Sequence, residues 1–272
     1  MKRIAWLTDI HLNFLLPRQE TEFLVSVAEL RPDAVLISGD IGEAQNVDVH
    51  LERIDATIPA PVYFVLGNHD YYHGSIAEVR KRIARLCVSR PRLHFLTCEG
   101  VATLAPDVGL VGHDGWADGR LGDYLGSMVM MHDFRLIAEL VDRTKRDRWE
   151  VLKGLGDEAA AHFRRFLPLA FDDCQTVVLL THVPPFREAC WHEGRLSDDE
   201  WLPHFTCHAV GEAIREIMAA RTSQRLIVLC GHTHGMGETR PLPNVEVITG
   251  GADYGHPAVA RLLEFNSPPG LA

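Results

Sequence analysis

The sequence lacks closely spaced cysteine pairs. Its 272 residues contain six cysteines, which are scattered and form no Cys-x-x-Cys motif and no dense framework. Such spacing is not typical of a thiolate zinc site or of a small secreted fold held by disulfides. We therefore expect a reduced protein that resides in the cytoplasm.

Long apolar runs are also missing. No run approaches the length of a membrane-spanning helix, which predicts a chain without a membrane partner. The N-terminus passes from Met1-Lys2-Arg3 directly into a short strand-like run that ends in an acidic motif. A secretory signal would carry a longer apolar stretch and a small-residue cleavage site. The sequence therefore favours a soluble protein.

Positive charge is in deficit. The chain carries 27 lysines and arginines against 37 acidic residues, for a net charge of −10. Long nucleic acids usually require a basic surface, so they are disfavoured as partners. A small anionic substrate stays compatible with this balance, because bound divalent cations can be the largest local charges in a site.

Polar motifs stand out against this background, because five of them each follow an apolar, strand-like run. They contribute two carboxylates, one amide and five imidazoles, carried by Asp9, His11, Asp40, Asn68, His69, His182, His232 and His234. In open α/β sheets, ligands bind in the loops at the carboxyl ends of the strands. If the five strands are parallel neighbours, these side chains converge on one place.

The alternation of strands and helices predicts the fold class. Apolar runs at 3–8, 34–38 and 62–66 predict strands, and helical spacing at 20–30, 47–57 and 75–86 predicts helices between them. Later runs predict strands at 93–96, 101–104, 110–112, 176–181, 225–230, 245–249 and 259–265, a helix at 208–220, and a proline-rich tail. With 46% hydrophobic residues, the chain can form one large α/β domain over residues 1–272. Two sheets packed face to face, with helices outside, would account for both halves.

Two stretches interrupt the alternation, at about 113–171 and 186–206. We interpret them as insertions that cover the site, with ordinary outer helices as an equal alternative for the first. That stretch offers His113, Trp116 and Tyr124 as candidates for substrate contact. Trp116 and Tyr124 would either stack on an aromatic leaving group or pack within the insertion.

The donor set at the strand ends favours first-row metals. Carboxylate and imidazole without thiolate suit Mn, Fe, Zn, Co or Ni, and not a structural zinc site. Eight such groups exceed the needs of one ion but match two ions bridged by a carboxylate and a water or hydroxide. Asp40 is the best candidate for the bridge, because each of its carboxylate oxygens can hold one cation.

The five motifs, taken in order, resemble those of the calcineurin-like metallophosphoesterases. The pattern of that family is Asp-x-His, Gly-Asp, Gly-Asn-His-Asp/Glu, His and Gly-His-x-His, and it is complete here between Asp9 and His234. The resemblance implies a four-layer αββα sandwich in which helices flank two mixed β-sheets. It also implies metal-dependent hydrolysis of small phosphoesters, nucleotides among them, by a bridging hydroxide in a dinuclear centre.

The resemblance further implies a role for each motif residue. Three ligands would hold each metal, namely Asp9, His11 and His234 for one, and Asn68, His182 and His232 for the other, with Asp40 as the bridge. His69 would protonate the leaving oxygen or stabilise charge on the phosphoryl group. Asp70 would orient His69 or a ligand, or would simply cap a turn. The implied cofactor is a pair of divalent ions, with Mn²⁺ favoured and Fe, Zn, Ni or Co as alternatives.

Single residues argue against some branches of the family. Glu43 occupies the position where purple acid phosphatases have an iron-binding tyrosine, and His69 occupies the position where lipid A pathway pyrophosphatases have arginine. We expect neither the basic surface nor the extra domains of the DNA-repair nucleases. A phosphatase or phosphodiesterase for small molecules is left, with the choice between monoester and diester open. The competing hypothesis is a non-catalytic protein-interaction scaffold of the same fold, such as the retromer subunit that lacks the catalytic histidine.

Overall fold

The structure is a computed structural model that describes residues 1–265. The strands are β1 (Lys2–Leu7), β2 (Ala34–Ser38), β3 (Val62–Val65), β4 (Leu93–Phe95), β5 (Ala102–Ala105), β6 (Val108–His113), β7 (Thr176–Thr181), β8 (Trp191–His192), β9 (Arg195–Leu196), β10 (Arg225–Cys230), β11 (Gly237–Leu242), β12 (Val245–Thr249) and β13 (Arg261–Phe265). The α-helices are α1 (Pro17–Glu29), α2 (Val47–Thr57), α3 (Ile76–Ser89), α4 (Asp133–Leu136), α5 (Lys145–Asp173), α6 (Leu202–Phe205) and α7 (His208–Ala219). The proline-rich tail at 266–272 lies outside the described residues.

Two mixed β-sheets carry the strands whose ends bear the motifs. The first sheet has the order β13-β1-β2-β3-β4, and all its pairs are parallel except β13 with β1. The second has the order β11-β12-β10-β7-β6-β5, with antiparallel pairs only at its two edges. Because parallel neighbours end at the same edge of a sheet, the motif loops of each sheet lie side by side at that edge.

Alternating side chains divide each strand between two layers of the core. On β1, Trp6 packs between the two sheets and Leu7 packs toward the helices of the first sheet. On β10, Leu229 packs between the sheets, whereas Val228 packs with α5 and α7. The result is the four-layer αββα sandwich that the sequence resemblance implies.

Helix boundaries follow local signals. The strands β2, β7, β10 and β12 and the helix α2 have the predicted bounds. The helix α1 begins three residues earlier than predicted, because Pro17 occupies its first turn and Gln19 accepts a hydrogen bond of 2.9 Å from the backbone N–H of Leu16. The hydroxyl of Ser75 caps α3 by accepting from the N–H of Glu78.

The stretch predicted as the first insertion divides into two parts. The helix α5 packs against α7 and β6, so this part corresponds to the alternative interpretation, an outer helix of the second sheet. The segment before it, which includes α4, does reach the site, because Asp133 contacts Asn68. Periodicity alone could not separate the two, since it shows that a helix has an apolar face but not what that face covers.

The second predicted insertion and the edge of the second sheet hold further unpredicted elements. Residues 186–206 contain the short hairpin of β8 and β9 together with α6. The edge strand β11 was not predicted, because its half-buried sequence includes Pro241 and offers no apolar run. Within residues 1–265, no helix combines the length and the apolar character that crossing a bilayer requires.

Candidate metal centre

The motif loops at the strand ends adopt an unusual backbone conformation. Ten non-glycine residues in the described chain have positive φ, and half of them are the motif residues Asp9, His11, Asp40, His232 and His234. The left-handed region is uncommon for such residues and is often found at functional sites. The backbone therefore aims these side chains inward at a conformational cost.

Close approach of the loops explains the glycines in the motifs. A Cβ atom added at Gly67 would collide with Oδ1 of Asp40, and one added at Gly231 would collide with Oδ2 of Asp9. The loops are also joined by main-chain bonds, such as the 2.9 Å bond from the N–H of Gly231 to the carbonyl of His182. The site is thus assembled from loops of both sheets.

The first half-site consists of Asp9, His11 and His234. One ligand atom of each of these residues and one of Asp40 all lie within 4.8 Å of one another. The Nε2 atoms of His11 and His234 are 3.2 Å apart, and Nε2 of His234 is 3.5 Å from Oδ1 of Asp9. Burial, followed by the neighbouring imidazoles, lowers the pKa of His11 far below its ordinary value. The ring is therefore neutral and keeps a lone pair for a cation.

The second half-site consists of Asn68, His182 and His232. The amide Oδ1 of Asn68 lies 3.0 Å from Nε2 of His182 and 2.9 Å from Nδ1 of His232. The other nitrogen of each ring donates to a backbone carbonyl, at 2.9 Å from His182 to Ser38 and at 2.8 Å from His232 to His204. Because each neutral imidazole has one N–H, the nitrogens that face Asn68 carry lone pairs.

With both rings neutral, the second half-site brings together three hydrogen-bond acceptors with no proton between them. Such a set is repulsive unless positive charge occupies the space that the three atoms face. Burial lowers the pKa of His182, but the carboxylates of Asp40 and Asp9 raise it above its ordinary value, so the site draws positive charge to this ring, whether as a proton or as a metal ion. The donor set thus fits a cation by its own chemistry.

Asp40 faces both half-sites. Its Oδ1 is 3.4 Å from Nε2 of His182, and its Oδ2 is 3.7 Å from Nε2 of His11. Burial raises the pKa of Asp40 to about 6, and its partners in ion-pair range within residues 1–265 are these two imidazoles, with no lysine or arginine. A buried carboxylate without a fixed cationic partner is costly, so divalent cations on its two sides would compensate its charge.

The orientation of Asn68 is set by residues that the sequence did not single out. Its Nδ2 donates to Asp133 at 2.9 Å and to the hydroxyl of Tyr72 at 3.2 Å, and that hydroxyl donates to Asp133 at 2.8 Å. With the amide nitrogen held on this side, the amide oxygen must point into the second half-site. In sequence, Asp133 looks like any acidic residue in the first turn of a helix, so no signal marked it.

His69 lies beside the two half-sites rather than within them. Its half-buried ring stacks on Tyr72 at 4.2 Å between centroids and contacts the ring of His11 at 4.7 Å. Burial lowers the pKa of His69 to about 4, although Asp133 acts to raise it. The imidazole is therefore a neutral N–H donor until negative charge comes close to it.

Asp70 has a structural role. Its carboxylate accepts from the backbone N–H groups of Ile41, Gly42 and Gly67, at 2.7 to 2.9 Å. These bonds tie the loop after β2 to the loop after β3. None of these bonds reaches His69, so the contacts favour the alternative of a residue that closes a turn, here beside the predicted ligands Asp40 and Asn68.

The three residues predicted to touch substrate lie apart from the half-sites and line neither of the cavities described next. His113 is buried, with Nε2 at 3.8 Å from Glu158, and Trp116 packs in the core against Tyr71. Tyr124 is buried and stacks on Trp149. Their role in substrate contact is unsupported by these positions, because each ring is engaged in packing.

Two cavities flank the centre. One of about 290 Å³ is lined by Asp9 and His234, and one of about 510 Å³ is lined by His69. Tyr254 stands at the edge of the larger cavity with its ring 4.6 Å from that of His11. The sequence did not single out Tyr254, because the loop after β12 carries none of the five polar motifs. The strand-end rule, applied to β12, would have pointed to this loop.

Comparison with known proteins is consistent with this geometry. A family model described as calcineurin-like phosphoesterase matches residues 2–236. A protein of Caenorhabditis elegans named as a metallophosphoesterase is 34% identical over 79 residues, which cover 28% of this chain and 16% of that protein. A transmembrane protein with metallophosphoesterase domain from Danio rerio is 37% identical over 78 residues, or 27% of this chain and 18% of that protein. The matched segment thus spans less than a fifth of these relatives.

Solved structures show the same fold. The phosphopantetheinyl hydrolase of Mycobacterium tuberculosis has a TM-score of 0.63 at 16% identity, with 91% of this chain and 89% of that chain covered. A dimetal phosphatase of Danio rerio has a TM-score of 0.57 at 16% identity, with 92% and 87% covered. Because the family model matches most of the length of this chain, the chain belongs to the calcineurin-like phosphoesterase family.

Proposed function

We propose that this protein hydrolyses small phosphoesters with the help of two divalent cations. The observation that carries the proposal is the convergence of carboxylate, amide and imidazole side chains on both sides of Asp40. Asp9, His11 and His234 would hold one cation and Asn68, His182 and His232 the other, with Asp40 between them. When bound, such a pair supplies the positive charge that polarises phosphoryl oxygens and acidifies a nucleophilic water. Mn²⁺ is the favoured ion, with Fe, Zn, Ni and Co as alternatives.

His69 is the proposed proton donor. Its ring borders the half-sites and lines the larger cavity, so it can reach a phosphoryl group placed at the centre. The negative charge of a bound phosphoester would raise the pKa of His69 and favour its protonated form. The imidazole would then give a proton to the oxygen of the departing alcohol, or donate a hydrogen bond to the phosphoryl group.

A screen with metal analysis tests the proposal. The Mn²⁺-loaded protein is assayed with phosphomonoesters, linear and cyclic diesters, pyrophosphates and a phosphopantetheinyl ester, and its metal content is measured by elemental analysis. We expect two metal equivalents and turnover that a chelator abolishes. A scaffold would show no metal-dependent turnover with any substrate, and a mononuclear protein would bind one equivalent.

His69→Ala sharpens the same test. We expect the variant to retain two metal equivalents while its turnover falls by about 10²- to 10⁴-fold, the usual contribution of general acid catalysis. His73→Asn is the control, because His73 is exposed and asparagine tolerates its left-handed backbone. Loss of metal from His69→Ala would contradict the separation between ligands and proton donor.

A further inference from the structure

The cavity of about 510 Å³ beside His69 has an apolar wall. Six of its lining residues are methionines or aromatics, namely Met128, Met130, Met131, Tyr72, Trp201 and Tyr254. Met128 is 82% exposed and Met130 is 58% exposed. Exposed apolar side chains that cluster around a concave surface mark binding sites, and methionine adapts its shape to varied apolar ligands.

The wall is tied in place by a contact between two segments of the chain. The backbone N–H of Met128 donates to the carboxylate of Glu200 at 3.1 Å. Trp201, the next residue, stacks on Phe205 with 5.2 Å between ring centroids. The loop of residues 128–131 and the segment that carries Trp201 therefore form one surface.

The charge of the cavity restricts what can bind there. Its lining includes one carboxylate, Glu200, and no lysine or arginine of residues 1–265. The smaller cavity, on the side of Asp9 and His234, also lacks both cationic residue types within the described chain. A carboxylate or a second phosphate in the leaving group would therefore find no lysine or arginine in the cavity and would face Glu200.

The position of His69 identifies which part of a substrate this cavity would receive. His69 lines the larger cavity and is absent from the lining of the smaller one. In the hydrolysis proposed above, water forms a new P–O bond, the ester P–O bond breaks, and the departing oxygen takes the proton of His69. The departing alcohol therefore lies on the His69 side of the phosphorus.

We propose that this cavity binds the leaving group, and that the substrate is a phosphoester of an apolar alcohol that carries no negative charge. The inference rests on the proposed function and names its substrate class. Aromatic and aliphatic alcohols satisfy it, whereas polyphosphate chains and carboxylated alcohols do not.

A matched pair of substrates tests the inference. The pair is 4-butylphenyl phosphate and 4-(2-carboxyethyl)phenyl phosphate, together with the methyl diester of each. The substituents have similar size, and methylene groups insulate the carboxylate from the ring, so the leaving oxygens have nearly equal acidity. With the Mn²⁺-loaded full chain, we expect kcat/KM to be at least about tenfold higher for the butyl compound, which corresponds to about 1.4 kcal/mol. The difference should lie mainly in KM.

Binding without turnover provides a second readout. The two corresponding benzylphosphonates, which have a P–C bond and cannot be hydrolysed, are titrated into the protein by calorimetry. We expect the butyl compound to bind at least about tenfold more tightly. The double variant Met128→Ser, Met130→Ser should reduce this ratio to about threefold or less, and Glu200→Gln should improve binding of the carboxyethyl compound.

The matched control is Leu125→Ser. Leu125 is exposed in the same loop but does not line the cavity, so both ratios should stay unchanged. Equal constants for the two substrates, or the same ratios in the methionine double variant as in the parent protein, would overturn the inference. Absence of metal uptake and of all turnover would instead overturn the proposed function itself.

Discussion

The two half-sites differ in how their imidazoles are held. In the second half-site, His182 and His232 each donate from the far side of the ring to a backbone carbonyl, and Asn68 is held by Asp133. In the first half-site, Nδ1 of His11 is buried and has no hydrogen-bond partner within the described chain. His234 is the more exposed ring, at 22% of its side chain.

This difference indicates which half-site has its ligands fixed in position before a cation binds. A hydrogen bond on the far nitrogen fixes the tautomer and the direction of a histidine ligand and raises its basicity. The second half-site has this support for both rings, whereas the first depends on backbone conformation and on ring packing against Tyr254. We therefore expect the second half-site to bind its cation more tightly.

Substitution of Asp40 should affect both half-sites, because its carboxylate faces both of them. Asp40→Asn removes the negative charge that faces His11 and His182. We expect less than one metal equivalent by elemental analysis and a loss of turnover of at least about a thousandfold, since metal ions contribute several kcal/mol to such reactions. Asp172→Asn on the exposed end of α5 is the control. Retention of one full equivalent would show that Asp40 serves a single half-site.

Arg80→Met tests the support behind the second half-site. Asp114 is fully buried and accepts from the N–H of Leu66 at 2.8 Å, from Tyr71 at 2.5 Å and from Arg80 at 2.8 Å. Its backbone carbonyl accepts the N–H of His182 at 2.9 Å. Breaking a buried ion pair on one side leaves an unpaired charge, so we expect a loss of about 3–5 kcal/mol in the free energy of unfolding at pH 7.

The pH dependence of that loss has a definite sign. In the parent protein, burial acts to raise the pKa of Asp114, but Arg80 and further hydrogen bonds hold the pKa below its ordinary value. Its stabilising contribution is thus complete above the unfolded pKa near 3.9 and is lost only as pH falls below that value. Without Arg80, burial prevails and the folded pKa is raised, so stability should decrease as pH rises from the unfolded pKa near 3.9 toward neutrality. Urea denaturation across this range measures the trend.

Arg164→Met is the matched control for Arg80→Met. Arg164 pairs with Glu216 on the surface, and exposed ion pairs contribute little. The control should show neither the loss nor the pH trend. A flat pH profile for Arg80→Met would mean that the remaining hydrogen bonds alone keep Asp114 charged.

The sequence was sufficient to place the motif residues together because their position depends on two simple properties. Each follows an apolar run, and parallel strands end at a common edge, so Asp40 and His182 meet although they belong to different sheets. The same local logic gave β2 and α2 their correct bounds. Strand-end chemistry is therefore readable from one sequence.

The residues that support and surround the centre were not predictable in this way. Asp133 contacts Asn68, which is 65 positions away in the sequence, and Asp114 contacts Leu66, which is 48 positions away. Such contacts depend on how loops pack after the sheets form, and a lone aspartate in a polar loop resembles any capping residue. The position of α5 stayed open between two interpretations for a related reason, since its apolar face does not reveal which sheet it covers.

Substitution of Asp133 should have the smallest effect of these variants, and the effect should be limited to one metal equivalent. Asp133→Leu removes the acceptor that holds the amide nitrogen of Asn68, so the amide can turn its oxygen away from His182 and His232. Loss of such a supporting partner typically weakens metal affinity by about 10- to 100-fold. Chelator competition with Mn²⁺ should therefore show one weakened equivalent, while the other keeps its affinity. Asp133→Asn should restore part of the loss, because its amide oxygen can still accept. Equal weakening of both equivalents would mean that Asp133 supports the whole centre and that the two half-sites are not independent.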